Sequence, residues 1–348
     1  MREAPNGSRR KACRSVAVHP REDPGRDLGA HAKTRDGGRE LATIQVAQVQ
    51  RFEGLRLHGG ANGSTLPRVP RPLARRLDGS RRIRLDDVDP ADTQGLEKDD
   101  GLERVDKLGS ELSELENLLS YAGTHALLVV LQGRDASGKD GAARKILEFT
   151  NVQQAYVHPF KVPTEEEKAH DFLWRAHAAV PRRGSMALFN RSYYEDVLAA
   201  RVHEIVAPEI WKGRYDHINA FERLIVDADV ILLKFYLHIS AEEQYERLRA
   251  REKDPRTAWK LNPADWREVP LWDDFTEAYE DVLARCSTRD IPWYLVPADK
   301  KWFRNLAVIE RIVLTLRPYR KVWLDTLKQM GKSAMKEIRE LRSQIKKR

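Results

Sequence analysis

The stretch ALLVVLQGRDASGKDG, Ala126 to Gly141, decides the fold. Its first half is an unbroken apolar run, Ala126 to Leu131, short and closed by a glycine, the pattern of a strand buried on both faces. Its second half, Gly133 to Lys139, fits GxxxxGK, and a helical pattern starts at Lys139. In a strand–glycine turn–helix context, backbone N–H groups curl around phosphate oxygens, the helix presents its positive end, and the lysine neutralises terminal phosphates. Gly133, Arg134, Ala136, Ser137, Gly138, Asp140 and Gly141 are therefore expected to line a phosphate-binding loop. Two departures matter. Asp140 follows the lysine, where a Ser or Thr ordinarily offers a hydroxyl to Mg²⁺, and the loop itself carries Asp135. A carboxylate inside a phosphate cradle repels its ligand unless a divalent cation lies between them, so Asp135 is expected to be a Mg²⁺ ligand.

Outward from this stretch, strands and helices alternate. A long helical face (Leu102, Val105, Leu108, Leu112, Leu115, Leu118, Leu119) precedes the first strand. Further strands are expected at 155–160, 186–190, 230–237 and 293–298. Helices are expected near 139–150, 164–178, 192–203, 215–227, 240–253, 273–286 and 302–328. Apolar strands separated by helices predict a five-stranded parallel sheet covered on both faces, an αβα sandwich.

The strand at 186–190 ends in Asn190, and Arg191, Glu195 and Asp196 follow it. Ligands of open α/β sheets sit where the carboxyl ends of adjacent strands converge, so Arg191 is expected to clamp phosphate, with a salt bridge to Glu195 the alternative. Glu195 and Asp196 supply the acids for metal that Asn190 cannot. The helix SAEEQYERLRAREKDP puts Arg247 and Arg251 on one face, and Lys260 follows. Its place after the fourth strand suits a lid that keeps water from the reaction. On spacing alone, a solvated face balanced by Glu242, Glu243 and Glu246 reads equally well.

These residues resemble the polyphosphate kinase 2 family. The matching text is DPADT, LLVVLQGRDASGKDG, FKVPTEEEKAHDFLWR, FNRSYYEDVL, YDHINAFE and REKDPRTAWK with a trailing DW, across about residues 81–325. The resemblance implies a P-loop kinase-like fold with a helical lid at about 240–275. It also implies Mg²⁺-dependent transfer of a terminal phosphoryl group between inorganic polyphosphate and a nucleotide. It places the catalytic roles on Asp135, Lys139, Arg191 and Arg251, with Arg247 the alternative to Arg251. Asn190 with Glu195 and Asp196 looks like the branch that accepts both AMP and ADP, and GMP or GDP stay open. The family is oligomeric, which implies a homodimer or homotetramer, with the helices flanking the sheet the candidate interface.

The net charge of +8 is unevenly placed. Residues 1–76 carry 16 Lys/Arg against 7 Asp/Glu, and 328–348 carry 8 against 2, while 77–327 hold 37 basic and 44 acidic residues. Residues 1–76 are expected to be a disordered basic extension, 77–327 the catalytic domain, and 328–348 a basic tail. Nucleic acid is thus disfavoured as a partner despite a pI near 9.4. No apolar run approaches the roughly 20 residues of a membrane span, and the first 30 residues lack a signal-peptide core. Two distant cysteines, Cys13 and Cys286, form no metal motif, and the chain reads as cytoplasmic. The histidines (158, 170, 177, 203, 217, 238) lack ligand spacing, and Tyr193, Tyr194, Trp259 and Trp272 suit a core as well as a base stack. The rival readings are an ATP-dependent nucleoside or nucleotide kinase of the same fold, and a nucleic-acid-binding protein acting through its ends.

Overall fold

The structure, a computed structural model, describes residues 72–346. In chain order the elements are β1 (Arg75–Leu77), α1 (Lys98–Ala122), β2 (Ala126–Gln132), α2 (Lys139–Leu147), β3 (Ala155–Pro159), α3 (Glu165–Lys168), α4 (Trp174–Ala179), β4 (Met186–Asn190) and α5 (Ala199–Val202). They continue as α6 (Pro208–Asp227), β5 (Val230–His238), α7 (Ala241–Lys253), α8 (Pro263–Glu268), α9 (Trp272–Arg285), β6 (Trp293–Pro297), α10 (Lys301–Leu316) and α11 (Arg320–Lys346).

The five expected strands form the parallel part of one sheet, in the order β6-β5-β2-β4-β3. β2 lies between β4 and β5, so the chain reverses direction across the sheet at the glycine turn, where α/β folds open a ligand crevice. Every residue of β2 is buried. Leu127, Val129 and Leu131 pack with α1, α2 and α10 on one face, while Ala126, Leu128 and Val130 pack with α6 and α9 on the other. Two covered faces require a continuous apolar strand rather than an alternating one.

A sixth strand was not expected. β1 pairs antiparallel with β6, Arg76 opposite Tyr294, and Leu73 and Ala74 are buried beside it. The Leu73 N–H donates to Glu310 Oε2 at 2.8 Å. Residues 72–76 of the expected 1–76 extension thus belong to the folded body. Three residues, two of them arginine, are too short a run to show a period. The rest of that extension, residues 1–71, lies outside the described residues.

Three helices also differ. The 164–178 pattern is split into α3 and α4, because Asp171 bonds the Leu173 N–H at 2.9 Å and starts a new turn. The 192–203 pattern opens as a 3₁₀ turn, Tyr193–Asp196, capped by Ser192. The last helix breaks at Arg317–Tyr319, where Pro318 removes a donor, and resumes as α11 through Lys346. The basic C-terminal stretch is therefore helical, continuous with the last helix of the body. Residues 328–346 are all exposed.

A charged cluster sits inside the core. Lys234 on β5 donates to Glu222 Oε2 at 2.6 Å and to the Cys286 carbonyl at 2.6 Å, and the Tyr193 and Tyr194 hydroxyls both donate to Glu222 Oε1. This assigns both tyrosines to packing. Cys286 is buried there, its thiol pushed up to about 12 by burial.

Candidate active site

The loop between β2 and α2 needs glycine at two points. Gly133 has φ 153°, and a Cβ there would meet the Leu237 carbonyl at 2.7 Å. Gly138 has φ 97°, and a Cβ there would land on the Arg304 guanidinium. Lys139 closes the loop on itself, its Nζ donating to the carbonyls of Gly133 at 2.7 Å and Arg134 at 3.0 Å. Burial, with the charge of Arg191 adding to it, pulls the Lys139 ammonium down to about 8.

Arg191 links the loop to the end of β4. It donates to Asp135 Oδ1 through one nitrogen and to Glu195 Oε2 at 3.3 Å through another. Its φ is +60°, a left-handed conformation that costs a non-glycine residue on the order of 1 kcal/mol and concentrates at functional sites. Glu195 above all, against burial and with Asp135 helping, raises the Arg191 pKa and keeps it charged. Burial pushes the Asp135 carboxyl up, but Arg191 and Lys139 outweigh it and hold it below its ordinary value. Gln132, at the end of β2, fixes Glu195 by donating to Oε1 at 2.6 Å. On the far side of the loop, Asn190 donates to Asp140 Oδ1 at 2.6 Å, and Lys260 lies 3.8 Å from Asp140 Oδ2.

The two candidate lid arginines separate. Arg247 is committed to backbone: it donates to the carbonyls of Ala136 (2.9 Å), Ser137 (3.3 Å), Ala298 (2.8 Å) and Asp299 (2.7 Å), and to Glu243. It therefore braces the loop instead of facing a phosphate, which corrects its assignment as a phosphate ligand. Arg251 is held by one contact, to Asp265 Oδ2 of α8 at 2.7 Å, and its charge acts on Asp135.

Two further expectations need correction. Arg134 turns out of the cradle, its guanidinium stacked 3.7 Å over Trp272 and bonded to the Trp272 carbonyl. Asp196 is bound by Arg175 at 3.2 Å and lies 3.6 Å from Arg214, so its carboxylate is already neutralised away from the loop. Among the described residues no three His, Cys, Asp or Glu side chains gather as a metal-ligand set, so Asp135, Glu195 and Asp196 do not form one. What remains still suits a hard divalent cation that keeps water and substrate oxygens and takes one or two carboxylates. Arg191 engages only Oδ1 of Asp135, and the buried Ser137 hydroxyl in the same loop has no partner.

Sequence reasoning missed four residues: Gln132, Asp265, Glu268 and Arg304. Burial first, then the Asp135 charge, raises the Asp265 pKa. Glu268 pairs with His203 at 2.8 Å, and it too is raised by burial and by Asp135. The Asp135 charge thus acts on both acids of α8. Arg304, at the start of α10, donates to the Ser137 carbonyl at 3.4 Å and to its neighbour Asn305. Only the DW dipeptide hinted at Asp265, and nothing in the local pattern marks the other three.

An anion cradle, a carboxylate inside it and guanidinium groups converging from β4 and α7 define a phosphotransferase of the kinase type, on a P-loop kinase-like fold. The family model of polyphosphate kinase 2 matches residues 95–322. The chain belongs to that family. It is 44% identical over 243 residues to the AMP/ADP-polyphosphate phosphotransferase of Meiothermus ruber, covering 69% of this chain and 91% of that one. It is 38% identical over 246 residues to the ADP-polyphosphate phosphotransferase of Rhodopseudomonas palustris, covering 67% and 84%. Among solved structures, polyphosphate kinase 2 from Arthrobacter aurescens superposes with a TM-score of 0.66 at 37% identity, over 68% of this chain and 86% of that one.

Proposed function

We propose that this chain moves the terminal phosphoryl group between inorganic polyphosphate and AMP or ADP, in a Mg²⁺-dependent reaction. The observation that carries the reading is the Asp135–Arg191–Glu195 bridge, which ties the phosphate loop to the end of β4 and sets a carboxylate beside converging cations. Asp135 would hold the Mg²⁺, with Glu195, bridged to it by Arg191, the second acid. When bound, the ion neutralises charge between that carboxylate and the phosphate oxygens.

The chain's own residues do the rest. Loop N–H groups and Lys139 grip the end of the polymer. Arg191 and Arg251 spread the charge that builds on the equatorial oxygens during transfer. Arg247 and Arg304 hold the loop backbone in place beneath them. The attacking nucleotide phosphate is already ionised at neutral pH, so no side chain has to remove a proton from it. The lid excludes water, which would otherwise compete as acceptor.

Purified protein given Mg²⁺, polyphosphate and ADP, but no ATP, should accumulate ATP; repeats with AMP, GMP and GDP define the acceptor. No product with any acceptor, together with phosphorylation when ATP is the donor, would favour an ATP-dependent nucleotide kinase instead.

A further inference from the structure

We infer that the exposed arm of α11 is a pairing element through which two copies of this chain zip together in parallel, in register. Residues 328–346 are nineteen consecutive exposed residues beyond the last packed turn, anchored by Trp323 and Leu327 on the body. They also lie past residue 322, where the family match ends. At 1.5 Å per residue the arm is about 28 Å long, and an isolated helix of this length is marginal in water.

Its apolar residues are spaced for a helical partner. Gly331, Ala334, Ile338, Leu341 and Ile345 follow one another at alternating steps of three and four, the a and d positions of a heptad; Leu324 and Leu327 continue the register back to the body, on which Leu327 packs. Ile338, Leu341 and Ile345 are exposed, as are Met330 and Met335 at the flanking g and e positions.

The flanks select the partner and its direction. In a parallel pair the g position of one helix meets the e position of the next heptad on the other. That sets Glu337 against the second copy's Arg342, twice by symmetry, and Met330 against its Met335. Gly331 and Ala334 in the seam let two backbones approach closely. A helix lying on a membrane surface would instead carry bulky side chains there.

The test uses the full-length protein. Oxidised Ile338→Cys should run as a covalent dimer on a non-reducing gel, while Ser343→Cys, on the outer face, stays single. Ile338→Asp with Leu341→Asp should lower the solution mass measured by light scattering about twofold. Glu337→Arg should weaken pairing at least tenfold, with Arg342→Glu restoring it in the double variant.

Equal cross-linking of the two cysteine variants would overturn the inference, as would an unchanged mass after the double aspartate substitution. So would seam-dependent sedimentation with phosphatidylserine vesicles by a protein that stays monomeric. If a variant lacking residues 1–71 alone abolishes the Ile338→Cys cross-link, that segment is the seam's partner and the inference also fails.

Discussion

Lys139 is the residue whose chemistry is most exposed to test. Its ammonium sits near 8, so the free enzyme carries this charge below that pH and loses it above. Bound polyanion raises the pKa again. The expected profile is a fall in kcat/KM for polyphosphate above about pH 8 with kcat little changed, since the first reports the free enzyme and the second the complex. A flat kcat/KM to pH 9.5 would remove Lys139 from binding. Asp135→Asn and Lys139→Ala should each abolish transfer while leaving the protein folded, with Lys139→Ala also lowering the melting temperature because it strands the Gly133 and Arg134 carbonyls. A Lys139→Ala enzyme with near-normal rates would refute the role given to it. At this scale the sequence was legible where backbone chemistry forces residue type, at Gly133, Gly138, Asp135 and Lys139. It misled where a long side chain could turn either way: Arg134 lies in the loop, yet packs on Trp272.

Among elements, α7 carries two arginines one turn apart with opposite duties. Arg251→Ala should cost on the order of 10³-fold in kcat, as loss of an arginine finger does, with the melting temperature close to that of the parent. Arg247→Ala should lower the melting temperature as well, since the carbonyls of Ala136, Ala298 and Asp299 lose the partner that Arg247 supplies, at about 1–3 kcal/mol for each one left buried and unpaired, while the Ser137 carbonyl keeps Arg304. The reverse ranking in a calorimeter would exchange their roles. Helical periodicity places both arginines on one face, but which of them bonds to backbone depends on β6 and the loop, fifty and more residues away in each direction. Helix ends were legible to within a few residues for α2, α7 and α9, but α6 begins at Pro208 rather than 215, α8 was not expected, and Asp171 and Pro318 reset the turn in two others.

For the whole molecule, the five-stranded parallel sheet was legible because its central strands are largely apolar runs, β2 unbroken from Ala126 to Leu131, with only the edge strand β3 (AYVHP) weakly so. β1 was not, since its pairing with β6 is more than 200 residues distant and its own residues are mostly charged. Charge segregation between body and ends makes a separate prediction. The chain lacking 1–71 and 328–348 should keep kcat/KM within about twofold, because Asp135, Lys139, Arg191 and Arg251 all lie within residues 72–327. Loss of transfer in that variant would give the ends a catalytic part.

Arg304 and Arg247 lie together under the phosphate loop, and burial, with Arg247 adding, pulls the Arg304 guanidinium down to about 10. On the proposed function, a polyanion held by the loop would offset the two like charges beneath it. The protein's resistance to heat should climb with inorganic pyrophosphate or tripolyphosphate, by about 2.7 kcal/mol at a hundred times the dissociation constant, and far less with chloride at equal ionic strength. An Arg304→Met variant should respond more weakly, so that a melting curve alone can sense an occupied cradle before any nucleotide is added.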